Sequence, residues 1–188
     1  MTSKKLLVGL AGMAGSGKSI AVKTATQNGY DVIVMGNEVR EEAKRRNLAP
    51  TPENLGKIML ELRRLEGDSV IARRCIPKIN KVNDQKIIID GIRSLSEAEE
   101  FKTTFPRFSL IAVHSSPETR FKRINNRKRS DDPQDWRTFH ERDLRELRIG
   151  LGNVIAMAEY IIVNEGTRGS AKAQARRILK KVEEKWMK

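Results

Sequence analysis

Short unbroken apolar runs alternate along this chain with longer stretches in which apolar residues return every three or four positions. Five of the short runs are rich in Val, Ile and Leu: 6–10, 32–35, 87–89, 110–113 and 160–163. A strand with one wet face alternates apolar and polar residues, whereas a strand covered on both faces reads as a continuous run. The five runs therefore predict parallel strands buried between helices. The stretches between them predict helices over 19–27, 38–46, 52–65, 68–79, 97–102, 117–127, 133–147, 153–158 and 171–186. The third of these follows Thr51 and carries Pro52 in its first turn, where a missing N–H is harmless. Strands alternating with helices mean an α/β fold with right-handed crossovers. The region of about 37–85 holds helices and no strand, which predicts a helical insertion over one end of the sheet. Residues 1–188 read as a single domain, with no internal repeat or low-complexity linker.

The strongest chemical signal lies between the first strand and the first helix. Gly12-Met13-Ala14-Gly15-Ser16-Gly17-Lys18-Ser19 fits Gly-x-x-x-x-Gly-Lys-Ser/Thr at every position. Glycines let the backbone wrap an anion with its N–H groups inward, and the helix N-terminus adds its positive dipole end. In such a loop Lys18 contacts the β- and γ-phosphates of ATP, and the Ser19 hydroxyl is a ligand for Mg²⁺. Asp90 ends the third apolar run, just ahead of Gly91. A carboxylate at that strand tip is a second candidate for holding Mg²⁺.

Charge adds a second theme. The chain has 37 Lys+Arg against 24 Asp+Glu, a formal +13, so it is drawn to polyanions. The stretch 168–188 alone has eight basic and two acidic residues. That composition fits an RNA-facing C-terminal helix or a plain solvated face. The single cysteine, Cys75, has no disulfide partner and reads as a small core residue on a helix. No apolar run approaches the roughly 20 residues that span a bilayer, and the short N-terminal run leads straight into the glycine loop. No membrane association and a cytoplasmic location are expected.

With these residues placed, the sequence resembles the nucleoside monophosphate kinase group of P-loop proteins. It is most similar to an archaeal adenylate-kinase-related family that also resembles dephospho-CoA kinases. The resemblance implies a P-loop kinase fold with a five-stranded parallel sheet in the order 2-3-1-4-5. The region of about 37–85 then becomes an acceptor-binding insertion. It further implies transfer of a phosphoryl group from ATP to a small nucleotide-like acceptor such as AMP. Met35-Gly36-Asn37-Glu38-Val39-Arg40 resembles the adenylate kinase Thr-Gly-Asp-x-x-Arg, which makes Arg40 and Asn37 acceptor-binding candidates. Asn37 departs from the pattern, since it stands where those kinases carry an Asp. Asp90-Gly91-Ile92-Arg93 resembles Asp-Gly-Phe-Pro-Arg with one residue missing, and adds Arg93 to the acceptor site. Arg123, Arg127 and Arg129 match the two ends of a lid, here short and spanning about 123–137. By that resemblance Arg123 packs on the adenine, while Arg127 and Arg129 act with Lys18 on the transferring phosphoryl group. Asn164 matches the dephospho-CoA kinase turn beside the adenine, whereas Val34 and Gly36 replace that family's further Asp residues. His114 and His140 receive no role. Asn37 and the basic C-terminus leave a second reading open: an ATP- and AMP-binding, RNA- or ribosome-associated ATPase switch with little kinase turnover.

Overall fold

The computed structural model describes residues 4–127 and 132–187. Strands β1 (Leu6–Ala11), β2 (Asp31–Val34), β3 (Lys86–Asp90), β4 (Phe108–His114) and β5 (Tyr160–Val163) form one sheet in the order β2-β3-β1-β4-β5. Every neighbouring pair is parallel. Helix α1 (Lys18–Thr26) links β1 to β2, and α2 (Gly36–Arg45), α3 (Pro52–Glu66) and α4 (Val70–Lys81) all lie between β2 and β3. Helix α5 (Leu95–Thr104) leads into β4, which is followed by α6 (Pro117–Arg127), α7 (Trp136–Ile149) and α8 (Leu151–Ala156). Helix α9 (Arg168–Trp186) follows β5.

The side chains of β1 alternate between two cores. Leu6, Val8 and Leu10 face α1 and α9, packing with Ala21, Ala175, Ile178 and Val182. Leu7 and Ala11 face the other layer, with Ile58, Ile71, Phe101 and Val154 from α3, α4, α5 and α8. A central strand buried on both faces has no polar alternate, which is why β1 and β3 read as unbroken runs. The edge strand β5 differs from that expectation. Ile162 is buried, but Ile161 and Val163 are about half exposed, at 48% and 50%. An apolar run at a sheet edge thus covers only one of its faces.

Helix boundaries follow local capping. The stretch expected to turn helical at Pro133 does so at Trp136, because the Asp135 carboxylate accepts from the Thr138 N–H at 2.8 Å. Helix α5 starts earlier than its apolar pattern suggests, through a capping box between Ser94 and Glu97. Helix α9 likewise begins at Arg168, capped by Thr167. Met35 leaves the second strand to precede α2, its N–H bonded to the Asp90 carbonyl at 3.0 Å.

Two packing features bear on the sheet's C-terminal edge. Gly9 sits where a Cβ would lie 2.9 Å from the Phe108 ring and collide with Ile92. Its bare backbone lets the fully buried Ile92 lie across β1, anchoring the segment that follows Asp90. The Gly91 and Ile92 N–H groups both donate to the Leu10 carbonyl at 3.1 Å. Glu42 on α2 accepts from Arg46 and, across to α4, from Arg74, each at 2.8 Å. These hydrogen bonds, Arg46 first, hold its carboxyl down at about 2. Cys75 is fully buried on α4, and burial pushes its thiol up to about 12. It is a packing residue with no ready thiolate. Among the described residues no helix is long and apolar enough to cross a membrane.

Candidate functional site

The loop between β1 and α1 is wedged against α6 and the end of β5. Gly15 and Gly17 adopt φ of 81° and 91°, a region costly for side chains with a Cβ. Space excludes a side chain as well. A Cβ on Gly15 would lie 2.8 Å from the Arg120 carbonyl, and one on Gly17 would collide with the Asn164 side-chain amide. Helix α1 starts at Lys18 with no side-chain cap, so its first N–H groups remain available to an anion.

Lys18 folds back along the loop, its Nζ donating to the Gly12 carbonyl at 2.6 Å. Part of its stem reaches the surface, yet the ammonium is enclosed, and this desolvation lowers its pKa. The Asp90 carboxylate opposes that shift, Arg93 adds to it, and Glu146 and Arg142 of α7 contribute in turn. Asp90 pairs with Leu10 in the sheet register, which puts it at the strand tip neighbouring the loop. Its Oδ1 is buried without a hydrogen-bond partner among the described residues, as is the Ser16 hydroxyl. An orphaned carboxylate oxygen beside an enclosed ammonium and a glycine cradle too tight for any Cβ fits a triphosphate with its divalent cation. The Ser19 hydroxyl is exposed at the same helix start.

Two braces hold the loop. The Asn164 amide, buried at the end of β5, donates to the Ser16 carbonyl at 2.8 Å. Arg123 of α6 donates to the Ser115 hydroxyl and to the Asn164 carbonyl, both at 2.8 Å. The second brace is Arg120, which is 4% exposed. Its guanidinium makes two hydrogen bonds to the Asp143 carboxylate of α7, one of 2.9 Å, and reaches the Ala14 carbonyl at 3.2 Å. It also lies over the Phe139 ring, 4.9 Å from the centroid. Glu165, between β5 and α9, accepts from the Thr119 hydroxyl and the Ser116 N–H, which hold its carboxyl below the usual range. This ties the start of α6 to the end of β5.

The other sequence candidates make the following contacts. Arg93 donates to Glu146 of α7 at 2.6 Å, and its charge acts on the Lys18 ammonium. Arg40 is exposed at the start of α2, one η nitrogen 3.0 Å from the Asn37 side-chain oxygen. Arg127 pairs with Asp132, its Nε 2.7 Å from the carboxylate. Arg129 lies outside the described residues. Sequence reasoning missed Arg120, Asp143, Ser115, Arg142 and Glu146. A signal existed for the first two: Arg120 stands four residues before Ile124, and Asp143 four after Phe139. Both charges thus occupy core-facing positions of their helices, where they need a partner.

Removing one member of a buried ion pair strands the other. Asp143→Asn is expected to destabilise the fold by about 3–5 kcal/mol in urea unfolding, with the Arg120→Met/Asp143→Leu pair recovering much of the loss. Equal loss in the single and double variants would show that the pair does not couple α6 to α7.

Comparison with known proteins bears on the family and the fold. A family model described as an AAA domain matches residues 11–140. A UPF0200 protein of Hyperthermus butylicus is 45% identical over 178 residues, covering 95% of each chain. One from Staphylothermus marinus is 46% identical over 182 residues, covering 97% of this chain and 95% of its own. Among solved structures, shikimate kinase from Acinetobacter baumannii in complex with shikimate superposes with a TM-score of 0.57 at 16% identity, covering 99% of this chain and 97% of that one. A gluconokinase from Sinorhizobium meliloti gives 0.53 at 12% identity, with 98% and 99% covered. At such identities the likeness is one of fold. The sheet order, the glycine loop and these relatives together make the chain a member of the UPF0200 family, built on the P-loop kinase fold.

Proposed function

We propose that this protein binds ATP with Mg²⁺ in the loop 12–19 and transfers a phosphoryl group to a small nucleotide-like acceptor, AMP or a close relative. The observation that carries the reading is the pairing at two adjacent strand tips. There an enclosed Lys18 ammonium stands with an Asp90 carboxylate oxygen that has no hydrogen-bond partner among the described residues. Ser19 and Asp90 would hold the Mg²⁺, which when bound neutralises charge on the β- and γ-phosphates. Gly12, Met13, Ala14, Gly15, Ser16 and Gly17 supply the backbone cradle, and Lys18 contacts the phosphates. Arg123 and Asn164 stand together on the β5 side, as befits a boundary of the adenine site.

The acceptor would be seated by Arg40, Arg93 and Asn37, with the helices of about 37–85 forming its insertion. In this structure Arg40, Arg93 and Arg127 rest on Asn37, Glu146 and Asp132. Phosphate oxygens would replace these side-chain oxygens, and the region 123–137 would act as a short lid carrying Arg127 and Arg129. In the transfer the bond from the γ-phosphorus to its bridging oxygen breaks as a bond to an acceptor oxygen forms, leaving ADP. An ionised phosphate acceptor has no proton to lose, so no general base is required. Catalysis then rests on positioning and on cations around the transferring group.

The direct test is transfer from labelled ATP-Mg²⁺ to a panel of nucleoside monophosphates and dephospho-CoA. Arg40→Ala and Arg93→Ala should each raise the acceptor KM, with ATP binding near parental. Each charge-assisted contact contributes roughly 1.5–3 kcal/mol. Parental acceptor kinetics in both variants would move the acceptor site elsewhere.

One observation favours the switch reading. Helix α9 buries Ala171, Ala175, Ile178, Leu179 and Val182 and exposes Arg176, Arg177, Lys180 and Lys181. Arg176, Arg177 and Lys181 make no ion pair among the described residues. If this face binds RNA, replacing the four with Gln should flatten the salt dependence. The slope of log affinity against log salt should drop by about 0.7–0.9 per lost phosphate contact. An unchanged slope, or no RNA affinity in the parent at near-physiological salt, removes the switch reading.

A further inference from the structure

One buried ion pair joins the helical insertion to the segment that carries Arg93. Arg63 of α3 and Glu97 of α5 have side chains only 8% and 1% exposed. One η nitrogen of Arg63 donates to Glu97 Oε1 at 2.6 Å. The other carboxylate oxygen, Oε2, accepts the Arg93 N–H at 2.8 Å and the Ser94 N–H at 3.3 Å. A chain of contacts thus runs from the insertion helix through Glu97 to the Arg93 backbone.

Arg93 is anchored on either side of that contact. The Gly91 and Ile92 N–H groups before it donate to the Leu10 carbonyl, and its guanidinium donates to Glu146. The Glu97 carboxylate holds the peptide between these anchors, and so fixes the point from which the Arg93 side chain departs. A capping-box glutamate needs only its N-cap residue. Here the box between Ser94 and Glu97 is complete, so the start of α5 does not call for Arg63.

Stability does not account for the pair either. Taking two charges out of water is costly, and an apolar pair of similar volume is often as stable or more so. Arg63 adds to that cost, because its Nε and Nη1 are buried with no hydrogen-bond partner among the described residues. A contact kept on such terms is explained by what it positions.

We propose that Arg63 is a positioning residue of the acceptor site, which through Glu97 holds the Arg93 backbone so that its guanidinium is presented to the acceptor phosphate. The insertion thereby sets the cation that receives the phosphate. The link to an acceptor rests on the proposed kinase function; the hold on Arg93 does not.

Arg63→Met removes the donor and keeps much of the apolar stem, whereas Arg63→Lys restores a single donor, as the contact with Glu97 uses. Amide hydrogen exchange at residues 91–94, followed by NMR, reads the hold without any ligand. In Arg63→Met the Arg93 and Ser94 amides should exchange about tenfold faster, while Gly91 and Ile92, bonded to Leu10, stay near parental. A purely structural role would speed all four together. In transfer from ATP-Mg²⁺ to nucleoside monophosphates, Arg63→Met should raise the acceptor KM about tenfold with parental ATP affinity. In an Arg93→Ala background it should change KM little, because the group it positions is gone. Arg63→Lys should recover most of both effects. Should Arg63→Met not fold, Arg63→Met/Glu97→Gln strands no charge and is held to the same expectations. Uniform exchange, a parental acceptor KM, or a full further effect in the Arg93→Ala background overturns the proposal. A parent that transfers to no acceptor defeats the kinase reading, and the exchange pattern still decides whether Arg63 holds Arg93. Uniform exchange with transfer intact defeats this proposal alone.

Discussion

The hydrogen bond from the Asn164 side chain to the Ser16 carbonyl joins the last strand to the loop after the first, and much of the site depends on that closeness. The loop runs so near β5 and α6 that a Cβ fits at neither Gly15 nor Gly17. Glycine at these positions supplies both the positive φ and the missing volume. The approach lets Arg120 reach the Ala14 carbonyl and lets Ser115 stand 2.6 Å from the Asn164 carbonyl. The backbone N–H groups are thereby preorganised before any anion arrives, which is where electrostatic catalysis derives most of its advantage.

A second constraint concerns charge. Lys18, Arg93, Arg120, Arg123 and Arg127 are each anchored by carboxylates or carbonyls of the protein. The anchors differ in kind. Arg120 is buried in a bidentate pair and holds the loop. Arg93 is 41% exposed and its pairing with Glu146 is easily exchanged. The buried pair works as a fixed post, whereas the exposed one is, under the proposed function, the contact that an acceptor phosphate would displace. Helix α7 carries both carboxylates, so its position relative to α6 and β3 decides how the cations are presented.

Much of this was legible in the sequence because local rules and tertiary structure agree there. The order strand, glycine loop, helix is encoded by Leu6–Ala11 and the loop 12–19 together. Thr51 with Pro52 marks the start of α3 as the cap rules require, with the Thr51 hydroxyl accepting from the Asn54 N–H. What escaped depends on contacts between distant segments. Arg120 and Asp143 are 23 residues apart, and nothing local says that two charges on separate helices share a buried space. The exposure of Ile161 and Val163 belongs to β5 as an edge strand, a position that the expected order 2-3-1-4-5 implies but that the apolar run alone does not reveal.

The central claim is that Lys18 and the loop around it bind the triphosphate. Calorimetric titration of ATP with Mg²⁺ into the parent and into Lys18→Ala tests it most directly, with thermal unfolding of both as the control. The account predicts saturable binding to the parent and loss of it in the variant. The two melting curves should be similar, because among the described residues the amine hydrogen-bonds only the Gly12 carbonyl. Equal ATP affinity in a folded Lys18→Ala variant would contradict the account.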